Sequence, residues 1–163
     1  MKKQFLLLFA IVLSLSSCSR YKNTIESFDL DSYNKDVVKY QNVDKFNTID
    51  EMDKFKVNTY LVNDENKFIY TIQIVYKDFY LSNLKAIMIP SNYQNNNNNI
   101  LPCIGYSSRL NLAKEKNAEQ GDYSGYNLSY KTTLKNEIFY LYISYTNEEN
   151  KELVYQVDSF TQL

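Results

Sequence analysis

The stretch Lys67-Phe68-Ile69-Tyr70-Thr71-Ile72-Gln73-Ile74-Val75-Tyr76-Lys77 places an apolar side chain at every second position. Side chains along a strand point alternately to its two faces, so Phe68, Tyr70, Ile72, Ile74 and Tyr76 share one face, and Thr71, Gln73 and Lys77 point the other way. This is the pattern of a half-buried antiparallel strand. Tyr126 to Leu134 repeats it, with Tyr126, Leu128, Tyr130, Thr132 and Leu134 opposite Asn127, Ser129, Lys131 and Thr133. Ile138 to Tyr145 is apolar on both faces and belongs at a sheet centre; Leu84 to Ile89 is similar, and Pro90 ends it. Lys151 to Phe160 supplies a last strand through Leu153, Tyr155 and Val157.

The punctuation fits the same reading. Asn63-Asp64-Glu65-Asn66-Lys67 and Asn147-Glu148-Glu149-Asn150-Lys151 each separate two strand patterns and read as hairpin loops. The run Asn95 to Asn99 is too polar for a core and reads as a loop. The strand pattern begins at Val57. Before it, Val37, Val38 and Tyr40 hint at a short strand within Phe28 to Tyr40, and Thr48-Ile49-Asp50-Glu51-Met52 offers a helix start, with Thr48 as N-cap, Glu51 three residues on, and Ile49, Met52 and Phe55 along one side. About seven strands with turns between them predict an all-β fold, an antiparallel two-sheet sandwich of immunoglobulin-like type with a short N-terminal helix. The alternative is an α+β fold in which that helix packs on one curved antiparallel sheet.

The N-terminus carries an address. Lys2 and Lys3 precede an unbroken apolar run from Phe5 to Leu15, which is long enough for a secretory signal and too short for a membrane span of about 20 residues. It closes on Leu15-Ser16-Ser17-Cys18, which resembles the lipobox of bacterial lipoproteins. The resemblance covers residues 1–18. It implies that residues 1–17 are a signal peptide, that the Cys18 thiol carries diacylglycerol (a palmitate-type anchor), and that Cys18 becomes an acylated N-terminus. Each buried methylene adds about 0.8 kcal/mol, so two or three chains hold a protein on a membrane stably. Ser19, rather than aspartate, follows the cysteine, which in that family implies the outer membrane where the envelope has two, with the domain on a periplasmic or surface face. Residues 18–42 are then the lipidated end, a tether and a poorly defined segment, and 43–163 the β domain.

Composition narrows the chemistry. Removing residues 1–17 from the 163 leaves 146, enough for one domain burying about two-thirds of its unfolded surface. The remaining 16 basic and 19 acidic residues are interspersed, with a net charge of −3, which argues against a nucleic-acid partner. There is no histidine, so Ser-His-Asp and Cys-His catalysis and histidine-ligated metals are excluded. With Cys18 lipidated, Cys103 has no partner for a disulfide and, within Ile100-Leu101-Pro102-Cys103-Ile104, reads as a small buried hydrophobe.

The remaining motifs are weak. Ser-x-x-Lys occurs at Ser19, Ser32 and Ser82, but the Ser-Asp-Asn and Lys-Thr-Gly partners of penicillin-recognising enzymes are absent. Asp64, Glu65, Glu148 and Glu149 lack the spacing and central glycine of an EF-hand and read as solvated turns. Sixteen tyrosines are the one feature that points to ligands, since the ring stacks on sugars or peptides while the hydroxyl hydrogen-bonds. Tyr93, Tyr106, Tyr123 and Tyr126 lie in or beside predicted loops and are the candidate binding residues. The expected protein is a non-enzymatic, lipid-anchored envelope lipoprotein without cofactor or metal, a binding or adhesion module for a protein or glycan. The alternative is a structural or assembly component. An aromatic concave patch would favour the first, and a flat exposed sheet edge the second.

Overall fold

The structure is a computed structural model that describes residues 27–40, 54–94, 100–146 and 150–163. It is mostly β, with one short helix among those residues and no closed sheet. The elements in chain order are α1 (Leu30–Tyr40), β1 (Phe55–Asp64), β2 (Lys67–Tyr76), β3 (Ser82–Pro90), β4 (Cys103–Ile104), β5 (Asn111–Leu112), β6 (Asp122–Tyr123), β7 (Gly125–Thr132), β8 (Phe139–Thr146), β9 (Asn150–Val157) and β10 (Thr161–Gln162). One four-stranded sheet has the order β10-β1-β2-β7, a second has β4-β3-β8-β9, and β5 and β6 form a small parallel pair.

The alternation in β2 behaves as its sequence predicts. Tyr70, Ile72 and Ile74 are buried and the end residues Lys67 and Lys77 are exposed. Ile72 lies between Thr59 of β1 and Leu128 of β7. On the other face the row continues as polar pairs: Asn58 donates to Gln73 (3.0 Å) and the Thr71 and Ser129 hydroxyls meet at 2.9 Å. Asp64 pairs with Lys67 to close the first hairpin, where Glu65 has a φ of 55°. β8 and β9 pair as the second hairpin. The inner residues of both large sheets meet in one cluster, which includes Phe55, Tyr70, Ile72 and Leu128 from the first and Leu84, Met88, Leu141 and Val157 from the second.

The second sheet is buried on its other face as well. Ile87, Ile89, Tyr142 and Val154 point away from the first cluster into another one, whose cover is Tyr33, Val37 and Tyr40 of α1. The Tyr40 and Tyr142 rings stack with centroids 3.6 Å apart, and Lys39 pairs with Glu152 of β9. Residues 30–40 are therefore a helix and not the short strand suggested by Val37, Val38 and Tyr40. The buried positions recur at intervals of four and three, the helical period, and Asp29 caps the start by accepting the Ser32 N–H at 3.0 Å. The helix predicted at Thr48 lies outside the described residues except for Phe55, which was expected on its apolar side and instead opens β1, buried in the core between the sheets. Asn95 to Asn99 and Glu148 and Glu149 also lie outside them.

Three further expectations change. The strands divide among two four-stranded sheets and a small pair, so the single curved sheet of the α+β alternative is not formed. β7 stops at Thr132, whose hydroxyl accepts the Leu134 N–H at 3.1 Å and turns the chain, leaving Leu134 half exposed. β9 ends at Val157, short of Phe160, whose ring instead packs on Tyr70 and Phe139 at 5.0 and 5.6 Å. Tyr70 also ties down the β7–β8 connection, donating to the Leu134 carbonyl (3.2 Å) and accepting from the Glu137 N–H (3.3 Å).

The two faces of β2 make unequal demands. Ile72→Ala is expected to lose about 2–5 kcal/mol, the range for emptying a core site. Gln73→Ala forfeits one hydrogen bond from Asn58 and is expected to lose about 1 kcal/mol or less. Urea melts on the two variants measure this, and equal losses would contradict the assigned faces.

Candidate functional site

The connection from β4 to β7, residues 105–124, is the least regular part of the described chain and forms a cleft. Its backbone is held against the start of β3: Leu81 and Leu112 exchange N–H···O bonds of 2.9 and 2.8 Å, and Leu84 donates to the Leu110 carbonyl at 2.7 Å. Beside them Asn111 donates to the Gly121 carbonyl and Ala113 to that of Tyr123, both at 2.8 Å. Gly121 has a φ of +75°, and a Cβ there would sit 2.3 Å from the Arg109 carbonyl oxygen. Only glycine fits.

Asn111 is the buried centre of this connection, at 2% exposure. Its side-chain oxygen accepts the Asn83 N–H (3.0 Å), and its amide donates to the Gln120 carbonyl (2.9 Å) and the Asp122 carboxylate (2.8 Å). Those bonds use both donors and the acceptor, and so offset the cost of burying the group. The Tyr80 hydroxyl adds a bond to Asp122 at 3.2 Å. Burial first, and then the Asp122 carboxylate, raise the Tyr80 phenol above its ordinary value, while Arg109 pulls it down.

The resulting cleft has a volume of about 740 Å³ and is lined by Tyr80, Arg109, Glu119, Gln120 and Tyr123 among others. A second cleft of about 500 Å³ adjoins it, shares Ser107 to Leu110, and reaches Ser27, Lys85 and Tyr106. The larger volume lies in the range of small-ligand sites, roughly 300–1,000 Å³. Tyr80 is half exposed, and the Lys116 ammonium stands 5.5 Å from the centroid of the Tyr123 ring.

The four tyrosines singled out in the sequence occupy different settings. Tyr123 lines the larger cleft, and its ring meets that of Tyr126 at 5.4 Å. Tyr126 braces the cleft from below: its hydroxyl reaches the carbonyls of Asn111 (2.9 Å) and Gly121 (3.1 Å), and burial raises its pKa. Tyr106 borders the smaller cleft but is buried, its hydroxyl donating to Asp36 of α1 at 2.8 Å and its ring edge-on to Tyr33. Tyr93 packs against the cluster beneath α1 and does not reach either cleft. Tyr80 and Arg109 complete the site and were not anticipated. The signals were an aromatic pair, Phe79-Tyr80, between two strands, and the one arginine beyond Arg20.

Cys103 lies in β4, half buried against the helix-covered cluster, and burial pushes its thiol to about 11. Asp64 is paired with Lys131, and among the described residues no three of Cys, Asp and Glu gather as metal ligands do.

Gly121→Ala is expected to cost about 1–3 kcal/mol, because an L side chain is strained at that φ and its Cβ meets backbone. Gly125→Ala, with its nearest neighbour at 3.2 Å and no positive φ, is expected to lose less. Urea melts and amide exchange at Asn111 and Ala113 would reveal the difference.

Comparison of the chain with protein families, characterised proteins and solved structures found no match.

Proposed function

We propose that this chain is a lipid-anchored, non-enzymatic binding module of the bacterial cell envelope, and that its ligand occupies the cleft beside Tyr80, Arg109 and Tyr123. The observation that carries the reading is the construction of that cleft. A rigid base of satisfied backbone and Asn111 bonds supports an exposed rim of tyrosine, arginine and amide side chains. Such a rim presents an aromatic ring, a guanidinium and an amide to a ligand, which suits binding.

If β1, β2 and β7 are strands A, B and E, and β4, β3, β8 and β9 are C′, C, F and G, the strand order is that of an immunoglobulin-like sandwich. β10 and the β5–β6 pair are then additions. Ser82, at the start of β3, pairs with Thr146 at the end of β8, so the β2–β3 connection and the end of β8 lie at the end that carries the cleft. In variable immunoglobulin domains the connection corresponding to β2–β3 is one of the binding loops.

Membrane attachment rests on the lipobox resemblance at Cys18. Ser27 borders the smaller cleft, and the nine residues from Cys18 to it span at most about 30 Å. A lipid anchor there would join the body beside the cleft and hold it close to the envelope surface.

Both halves are open to test. Cys18→Ala is expected to abolish palmitate labelling and release the chain from membranes; label on the variant would refute the anchor. The full-length chain in detergent is expected to bind a subset of an immobilised glycan and envelope-polymer panel and to lose that binding on Tyr80→Ala but not on Thr71→Ala. Equal effects of the two variants would remove the cleft from the account.

A further inference from the structure

The geometry points to a carboxylated sugar as the ligand of the larger cleft, with Arg109 taking the carboxylate, Tyr80 the ring face, and Glu119 and Gln120 the hydroxyls. This rests on the cleft being a binding site and names the ligand class.

Arg109 carries the argument. It is exposed, lines both clefts, and makes no hydrogen bond or ion pair with any described residue. The chain contains only two arginines against sixteen lysines. A guanidinium differs from an ammonium in presenting a planar fork that grips a carboxylate through two parallel bonds. Lys116, at the Tyr123 ring, adds a second positive charge beside the same cleft.

Glu119 separates a sugar from other anions. It lines the cleft with Arg109, yet the two form no ion pair. Opposite charges that line one cleft without pairing suit a ligand that presents a carboxylate to one and hydroxyl donors to the other, which an acidic saccharide does. An acidic peptide would set its carboxylates against Glu119 and would find only Leu110 and Ala118 as aliphatic lining for its side chains. A neutral sugar would leave the arginine without a partner. The Tyr80 ring is half exposed with its hydroxyl bonded to Asp122, and that exposed part gives a pyranose an apolar surface to pack on.

The test is titration calorimetry on the full-length chain in detergent with trigalacturonate, sialyllactose, the carboxyl-reduced trimer, lactose and triglutamate. At least one acidic sugar is expected to bind, and to lose about tenfold or more in affinity when its carboxylate is reduced or removed and when Arg109→Lys is introduced. Arg109 is exposed, so an unchanged urea midpoint for that variant excludes misfolding as the cause. Equal binding of acidic and neutral sugars, abolished by Tyr80→Ala, would overturn the carboxylate assignment while the cleft stood as a glycan site. Tighter binding of triglutamate would overturn the sugar assignment. Failure of both acidic sugars to bind at millimolar concentration would overturn the inference outright, and the panel result with Tyr80→Ala would still decide the cleft separately.

Discussion

β3 and β8 are buried on both faces, and the rest of the molecule answers that demand. Their residues alternate between two clusters: Ala86, Met88, Leu141 and Ile143 face the other large sheet, while Ile87, Ile89 and Tyr142 face α1. Each large apolar side chain left in water would forgo about 1.5–3 kcal/mol, so neither face can stay open. The first face is covered by β1, β2 and β7, the second by an eleven-residue helix. A helix that short is marginal in isolation. It is the apolar surface of the sheet, met by Tyr33, Val37 and Tyr40, that makes it stable.

This dependence also explains which parts of the chain were legible. Two-residue alternation fixed the faces of β2 and β7, because one side of their sheet meets the core and the other carries Asn58, Gln73, Thr71 and Ser129. The continuous apolar runs of β3 and β8 correctly placed them at a sheet centre but said nothing about what would cover them. That cover lay in Leu30 to Tyr40, where the doublet Val37-Val38 suggested a strand although Val38 is half exposed. The i, i+4, i+7 spacing of Tyr33, Val37 and Tyr40 and the capping Asp29 were the better signal. A doublet of β-branched residues is a local preference, and tertiary burial outweighs it.

The cleft was less legible for a different reason. Its geometry comes from backbone bonds between β3 and residues far along the chain, and such pairing leaves no periodic trace. Asn111 looks like any other asparagine in a chain rich in them, yet it is buried with its polar atoms paired to Asn83, Gln120 and Asp122. The tyrosines did carry a signal, though not a sorted one. Tyr106 and Tyr126 spend their hydroxyls on Asp36 and on backbone carbonyls, so they hold the fold and the cleft base. Tyr123, together with the unanticipated Tyr80, reaches the rim.

The charges at this end of the molecule divide in a similar way. The ammonium of Lys54 lies 3.9 Å from the Phe79 ring centroid, that of Lys85 5.0 Å from Tyr106, and that of Lys116 5.5 Å from Tyr123. Such contacts contribute about 0.5–1 kcal/mol at exposed sites, the setting of Lys116. They keep positive charge around the cleft without filling it. Arg109, with no such partner among the described residues, keeps its guanidinium on the rim. Lysine charge attracts anions of many shapes, whereas a planar guanidinium fork selects among them by geometry. On the proposed reading of the cleft, Arg109 and Tyr80 would supply the discrimination and the lysines around them the attraction.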